Sequence, residues 1–105
     1  MTTWETVARV TDIPPERVAV RDVDGHAVAI CNVGGEFYAI DDLCTHDNGP
    51  LDQGELEGDL IECPRHGARF NVRTGAAVQM PAFQPVETHP VRVTGDAVEV
   101  GVEHS

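Results

Sequence analysis

The sequence contains no lysine, and its seven arginines stand against eighteen aspartates and glutamates. The formal net charge is -11, and the sequence pI is about 4.6. Phosphate backbones and anionic lipid headgroups repel a protein of this charge. We therefore expect neither nucleic acid nor a membrane surface as a partner.

Long hydrophobic segments are also missing. The longest apolar run is residues 27–31, whereas a transmembrane helix needs about 20 apolar residues. Residues 1–5 contain neither the basic nor the apolar segment of a signal peptide. Three cysteines cannot all pair with one another, which disfavours the disulfide framework of secreted domains. The expected location is the cytoplasm.

Aromatic side chains are scarce as well, with one Trp, one Tyr and three Phe. The apolar content depends on Val and Ala instead, which favours short β-strands over a large helical core. A chain of 105 residues has enough length for one core. We expect a single domain over residues 1–105.

The pattern of alternating and β-branched residues predicts an all-β fold. Gly34-Gly35 predicts a two-residue hairpin turn, because glycine readily adopts positive φ. We expect strands from both chain ends to form an antiparallel sandwich or barrel base. Residues 43–83, rich in glycine and proline, would form an inserted subdomain of loops and short strands. The predicted strands cover residues 4–10, 18–23, 27–33, 36–40, 60–63, 69–72, 86–88, 91–94 and 97–100.

Two short segments offer metal ligands. Each contains one thiol and one imidazole: Cys44 and His46 in the first, Cys63 and His66 in the second, with sixteen residues between the segments. A single structural zinc ion usually takes ligand pairs separated by two to four residues. Only Cys63 and His66 have that spacing. In extended backbone, Cys44 and His46 would place their side chains roughly 6.5 to 7 Å apart, which suits two linked metal atoms better than one.

The pattern C-x-H, a spacer of this length, and C-x-x-H followed by Gly67 resembles the Rieske family. Members of that family carry one [2Fe-2S] cluster in which two histidines replace two cysteines on one iron. The resemblance implies that Cys44 and Cys63 bind the inner ferric iron. It implies that His46 and His66 bind the outer iron, which changes valence near the protein surface.

Departures from one branch of the family imply a low reduction potential. In respiratory cytochrome bc complexes each ligand loop carries an extra cysteine, and the corresponding residues here are Gly49 and Arg65. That branch also has hydroxyl donors where this chain has Ala68 and Phe70. Fewer hydrogen bonds stabilise the reduced cluster less. Rieske centres span roughly -150 to +300 mV, and we expect this one at the low end.

Several other residues near the motif allow more than one interpretation. Residues 80–85 resemble the proline-containing loop that covers the cluster in the family, or they form a rigid surface turn. Arginines beside the second segment either serve the site or are solvated charges on a strand face. Aspartates beside the first segment tune the potential, meet a basic partner or are simply exposed acids. Cys31, within a predicted strand, is expected to be a small buried hydrophobe. The charged residues in question are Arg65, Arg69, Arg73, Asp41, Asp42 and Asp47.

The resemblance implies a soluble one-electron carrier of the ferredoxin type found in bacterial ring-hydroxylating oxygenase systems. Such a protein takes electrons from a flavin-dependent reductase and passes them to a terminal oxygenase. It is not itself an enzyme and needs no small-molecule substrate. The alternatives are a small Rieske subunit of a larger oxidoreductase, such as nitrite reductase, and a zinc-stabilised binding module.

Overall fold

A computed structural model describes residues 2–43, 51, 54–64, 67–80 and 84–103. Those residues form short strands and one 3-10 turn, at Val10–Asp12. The described ranges include no helix with the length and hydropathy needed to span a bilayer. The strands are β1 Thr2–Arg9, β2 Val18–Val23, β3 His26–Val33, β4 Glu36–Asp41, β5 Leu56–Glu57, β6 Leu60–Glu62, β7 Arg69–Asn71, β8 Ala77–Gln79, β9 Thr88–His89, β10 Val91–Thr94 and β11 Ala97–Glu103.

The strands pair in three antiparallel sheets. The end sheet has the order β1-β11-β10, the middle sheet β2-β3-β4-β9, and the loop-side sheet β5-β6-β7-β8. The end sheet joins strands from both chain termini, as the sequence predicted, with Thr3 opposite Val102. The loop-side sheet falls wholly within residues 43–83. The predicted all-β antiparallel architecture is confirmed.

The middle sheet has apolar residues buried on both faces. On β3, Val28 and Ile30 belong to a cluster shared with the end sheet. The alternate residues Ala29 and Cys31 belong to a second cluster, shared with the loop-side sheet. Successive side chains of a strand point to opposite faces. The middle sheet is therefore sandwiched between the other two, and this explains why the longest apolar run of the chain, residues 27–31, lies in β3.

Two-residue turns set the register of the middle sheet. Asp24 and Gly25 between β2 and β3 both have positive φ, at 53° and 82°. Gly34 and Gly35 between β3 and β4 have φ of 59° and 99°. Turns with positive φ at both central residues match the twist of the strands they join. The hairpin predicted at Gly34-Gly35 is confirmed.

Asn32 is the buried polar residue of the described core, with 3% of its surface exposed. Its side-chain amide donates to the carbonyl of Ile13 at 2.7 Å, and its Oδ1 accepts from the N–H of Gly35 at 2.8 Å. Because a buried polar group must find partners, these bonds fix the segment after the 3-10 turn against the start of the hairpin.

The predicted strand positions differ from the structure in several respects, including β11, which extends to Glu103 rather than residue 100. Strands β5 and β8 were not predicted, because segments of two or three residues carry no periodic pattern. The strand predicted at 86–88 forms only at Thr88–His89, since Val86 is buried in the core and bonds to Gly75 instead. A register shift between Thr6 and Ala8 interrupts the alternation of β1, which ends at Arg9 rather than residue 10.

Candidate metal centre

Of the four predicted ligands, the described residues include Cys63. Cys44, His46 and His66 lie outside them, as do Gly49, Arg65 and Asp47. Cys63 follows β6 directly and is 1% exposed, within the cluster that joins the middle and loop-side sheets. Its thiol takes part in no disulfide. Among the described residues, no three His, Cys, Asp or Glu side chains form a group that could hold a metal.

The loop that begins at Cys63 closes on itself through backbone hydrogen bonds. Cys63 donates its N–H to the carbonyl of Ala68 at 2.6 Å, and Gly67 donates to the carbonyl of Cys63 at 3.1 Å. Gly67 has φ of 76°, in the left-handed region that glycine adopts without a Cβ penalty. The glycine that follows the second predicted histidine is therefore needed for the return of the chain.

A neighbouring strand supports this loop from outside. Gln79, at the end of β8, donates from its side-chain amide to the carbonyl of Gly67 at 2.9 Å. The bond joins the second ligand segment to the edge of the loop-side sheet. Sequence reasoning missed Gln79, because a glutamine at the end of an unpredicted strand gives no signal by itself.

Apolar side chains share a buried cluster with Cys63. Ala68 and Phe70 are both 0% exposed, and both belong to the cluster that contains Cys63. Neither can donate a hydrogen bond from its side chain. These are the two residues that stand where the high-potential branch has hydroxyl groups.

The first ligand segment begins where β4 ends. Asp42 donates its N–H to the carbonyl of Ala27 in β3 at 3.0 Å. Its Oδ1 accepts from the N–H of Leu51 at 2.7 Å. Asp42 thus bonds to both the middle sheet and the far side of the segment that carries Cys44 and His46.

Asp41 and His89 form a second contact at this strand end. His89 Nε2 lies 2.7 Å from Asp41 Oδ1, and both side chains are partly buried. Asp41 also donates its N–H to the carbonyl of Glu87 at 2.9 Å. The two aspartates before the first segment therefore have structural partners.

Arg69 and Arg73, which follow the second segment, both face carboxylates. Arg69 lies 3.9 Å from Glu62. Arg73 contacts Asp59 at 3.5 Å and donates to the hydroxyl of Tyr38 in β4 at 2.7 Å. Arg73 thus links the middle sheet to the loop-side sheet, which is more than the role of a solvated surface charge.

Cys31 is confirmed as a buried residue of the core, at 0% exposure. Burial, with a smaller contribution from the charge of Asp42, raises the pKa of its thiol to about 12. Among the described residues, no group of metal-ligating side chains includes Cys31. Cys31 is therefore not a candidate ligand. The proline-containing segment, predicted to cover the site or to form a rigid surface turn, lies outside the described residues at 81–83, and Gln84 and Pro85 are exposed.

The described part of the site fits an iron-sulfur cluster. Cys63 places a sulfur at the base of a closed loop, shielded from water by apolar side chains, as the thiolate on an inner iron would require. Two thiols and two imidazoles are the donor set of a Rieske centre. Cys63 lies in the buried core.

Comparison with known proteins agrees with this chemistry. Residues 3–90 match the sequence profile of the Rieske [2Fe-2S] domain family. The chain is 47% identical over 87 residues to the 3-phenylpropionate/cinnamic acid dioxygenase ferredoxin subunit of Shigella flexneri serotype 5b. That match covers 82% of this chain and 81% of the relative.

Solved structures show the same relationship. The ferredoxin of carbazole 1,9a-dioxygenase from Nocardioides aromaticivorans IC177 superposes with a TM-score of 0.90 at 38% identity, covering 93% of this chain and 96% of that one. A complex of reduced oxygenase and oxidized ferredoxin in carbazole 1,9a-dioxygenase contains a chain with a TM-score of 0.87 at 38% identity, covering 92% of this chain and 91% of that one.

The alternative of a nitrite reductase subunit has weaker support. The putative NADH-dependent nitrite reductase small subunit from Mycobacterium tuberculosis superposes with a TM-score of 0.89, covering 100% of this chain and 99% of that one. The two sequences are 19% identical. At this identity the likeness extends to the fold alone.

We predict that Cys31→Ala leaves the iron content unchanged and lowers the free energy of unfolding below pH 9 by about 1 kcal/mol, the cost of a small cavity. The folded thiol keeps its proton up to about pH 12, whereas the unfolded thiol releases it near pH 9. The parent should therefore lose stability relative to the variant as pH rises from 9, by at most about 1.4 kcal/mol per pH unit. Chemical denaturation at several pH values measures this difference, and identical slopes in both proteins would contradict the assignment.

Proposed function

This chain belongs to the Rieske [2Fe-2S] family, and from that premise we propose that Cys44, His46, Cys63 and His66 hold its cluster. The family resemblance assigns the two cysteines to the inner iron and the two histidines to the outer iron. The observation that carries the proposal is the buried thiol of Cys63 at the base of a loop closed by Gly67 and Ala68. When bound, the cluster supplies one reversible electron.

The protein is an electron-transfer component rather than a catalytic subunit, as its ferredoxin relatives are. The residues of the chain position the cluster and set its potential. Cys63 and its apolar neighbours exclude water from the inner side of the site. The single domain over residues 1–105 would hold the cluster in an inserted subdomain at 43–83, so that electrons leave through the histidine side.

The partners that this function requires are a flavin-dependent ferredoxin reductase and a terminal oxygenase, both bound transiently in the cytoplasm. The ferredoxin-oxygenase complex of the carbazole system supports the oxygenase as the acceptor. No small-molecule substrate, nucleic acid or membrane takes part. The net charge of -11 favours partners with basic docking faces.

The potential of the cluster should lie at the low end of the Rieske range. Imidazole carries no negative charge, so ligation by two histidines already makes reduction easier than in a cluster with four cysteines. Hydroxyl donors raise the potential further because they stabilise the more negative reduced state. Ala68 and Phe70 supply none, although both lie in the same buried cluster as Cys63.

The metal assignment is tested by electron paramagnetic resonance of the dithionite-reduced protein. We expect a rhombic signal with a low average g value, together with two iron and two acid-labile sulfide per chain. Cys63→Ala should lose the rhombic signal and the bound iron and sulfide, because it removes a thiolate ligand. Cys31→Ala is the matched control and should retain both. One zinc per chain, or the spectrum of an all-cysteine cluster, would reject the proposal.

We predict a midpoint potential below about 0 mV by protein-film voltammetry. Ala68→Ser adds a hydroxyl beside the loop of Cys63 and should raise the potential by roughly 60 mV, the one-electron equivalent of a tenfold change in equilibrium constant. Ala76→Ser, in the exposed turn before β8, is the control and should leave the potential unchanged. A parent midpoint well above 0 mV would show that the missing donors do not set the potential.

Electron transfer from the reduced protein to a terminal oxygenase should slow as salt is added. Charges separated by more than about 8 Å are largely screened at physiological ionic strength, so steering by the acidic surface weakens. Stopped-flow mixing at increasing sodium chloride concentrations measures the second-order rate constant. A rate constant that does not change with salt would count against charge-steered docking.

A further inference from the structure

Asp42 occupies an unusual position between two parts of the fold. Its backbone N–H bonds to Ala27 in β3, so its main chain is part of the middle sheet. Its carboxylate accepts the N–H of Leu51, nine residues later, at 2.7 Å and in a partly buried setting. This bond therefore joins the two ends of the segment that contains Cys44 and His46.

Leu51 is itself fixed in the core. It is 0% exposed and belongs to the same buried cluster as Cys63. A side chain in a packed cluster cannot shift without moving its neighbours. The carboxylate of Asp42 thus bonds to Leu51, which follows the first ligand segment. Leu51 packs in the same cluster as Cys63, the first ligand of the second segment.

The residues after Leu51 continue this connection. Gly54 donates its N–H to the carbonyl of Leu51 at 2.9 Å. A Cβ on Gly54 would overlap the carbonyl of Glu62, the residue immediately before Cys63. Gly54 therefore packs backbone to backbone against the end of β6. A chain of direct contacts extends from Asp42 through Leu51 and Gly54 to the residue before Cys63.

We propose that Asp42 is a positioning residue that holds together the two ends of the first ligand segment. Its role depends on the acceptor oxygen at Leu51 and not on its negative charge. The proposal rests on the function inferred above, since it takes Cys44 and His46 as ligands. The burial of Leu51 supports the proposal. Removing the acceptor of a hydrogen bond leaves a buried N–H without that partner, which destabilises the fold.

Two substitutions separate the acceptor from the charge. Asp42→Asn removes the charge but keeps an oxygen that can accept from Leu51, whereas Asp42→Ala removes both. Asp22→Ala is the matched control, because Asp22 also accepts a backbone N–H, from Gly25 at 3.0 Å, in a hairpin of the middle sheet. All three variants are compared with the parent after the same iron-loading treatment.

The first measurement is hydrogen-deuterium exchange by mass spectrometry, with fragmentation that resolves the Leu51 amide. In Asp42→Ala we expect exchange at Leu51 to rise roughly tenfold or more, because the amide of Leu51 loses its hydrogen-bond acceptor. Asp42→Asn and Asp22→Ala should keep exchange at Leu51 close to that of the parent. Unchanged exchange in Asp42→Ala would overturn the proposal.

The second measurement is the paramagnetic resonance spectrum of the reduced cluster, with the iron content. Asp42→Asn should keep the g values and iron of the parent, while Asp42→Ala should shift or broaden the g values or lose iron. Equal changes in both variants would assign the effect to charge and reject a positioning role. If Asp42→Ala binds no iron, Asp42→Asn decides: full iron supports the proposal, and loss of iron overturns it.

The two proposals fail in different ways. A parent protein without the rhombic signal would reject the cluster assignment, whatever the variants do. A parent with that signal, together with an Asp42→Ala protein that matches it in spectrum and in Leu51 exchange, would reject only the role of Asp42.

Discussion

The burial of both faces of the middle sheet is the constraint on which the rest of the structure depends. Side chains on one face of β3 pack with the end sheet, and those on the other face pack with the loop-side sheet and Cys63. The neighbouring strand β4 repeats the pattern, with Ala39 in one cluster and Ile40 in the other. The first ligand segment follows the end of β4, and the second begins at Cys63 in one of the two clusters. A shift of the middle sheet would therefore disturb both cores and the points where both segments begin.

The loops around the site keep their geometry because short polar side chains bond to nearby backbone groups. Asp42 accepts from Leu51, and Gln79 donates to Gly67. Asn71, at the end of β7, accepts through its Oδ1 from the N–H groups of both Arg73 and Thr74. A region of two- and three-residue strands leaves many backbone groups outside ladders, and such groups need partners. Side-chain hydrogen bonds of this kind replace some of the backbone hydrogen bonds that long strands form elsewhere in the fold.

Local signals in the sequence were enough to predict the turns and the longer strands, while the set of four ligands stays a prediction. Gly34-Gly35 and the run in β3 depend on neighbouring residues alone, so their patterns survive in the structure. The β8 strand and the register shift at Ala8 depend on which strand lies alongside, which a single sequence does not specify. The bond from Asp42 to Leu51 was missed for the same reason. It depends on the path of the intervening loop, and an aspartate before a cysteine gives no indication of its partner.

The charge of the protein connects its composition to its function. The described arginines near the site are held in contacts within the chain, Arg69 with Glu62 and Arg73 with Asp59 and Tyr38. They tie strands together and offset only a small part of the charge from eighteen acidic residues. An excess of negative charge disfavours the addition of an electron, and it also attracts a basic partner. The proposed low potential thus has two contributions, the missing hydroxyl donors and the negative charge, and the proposed charge-steered docking depends on the second.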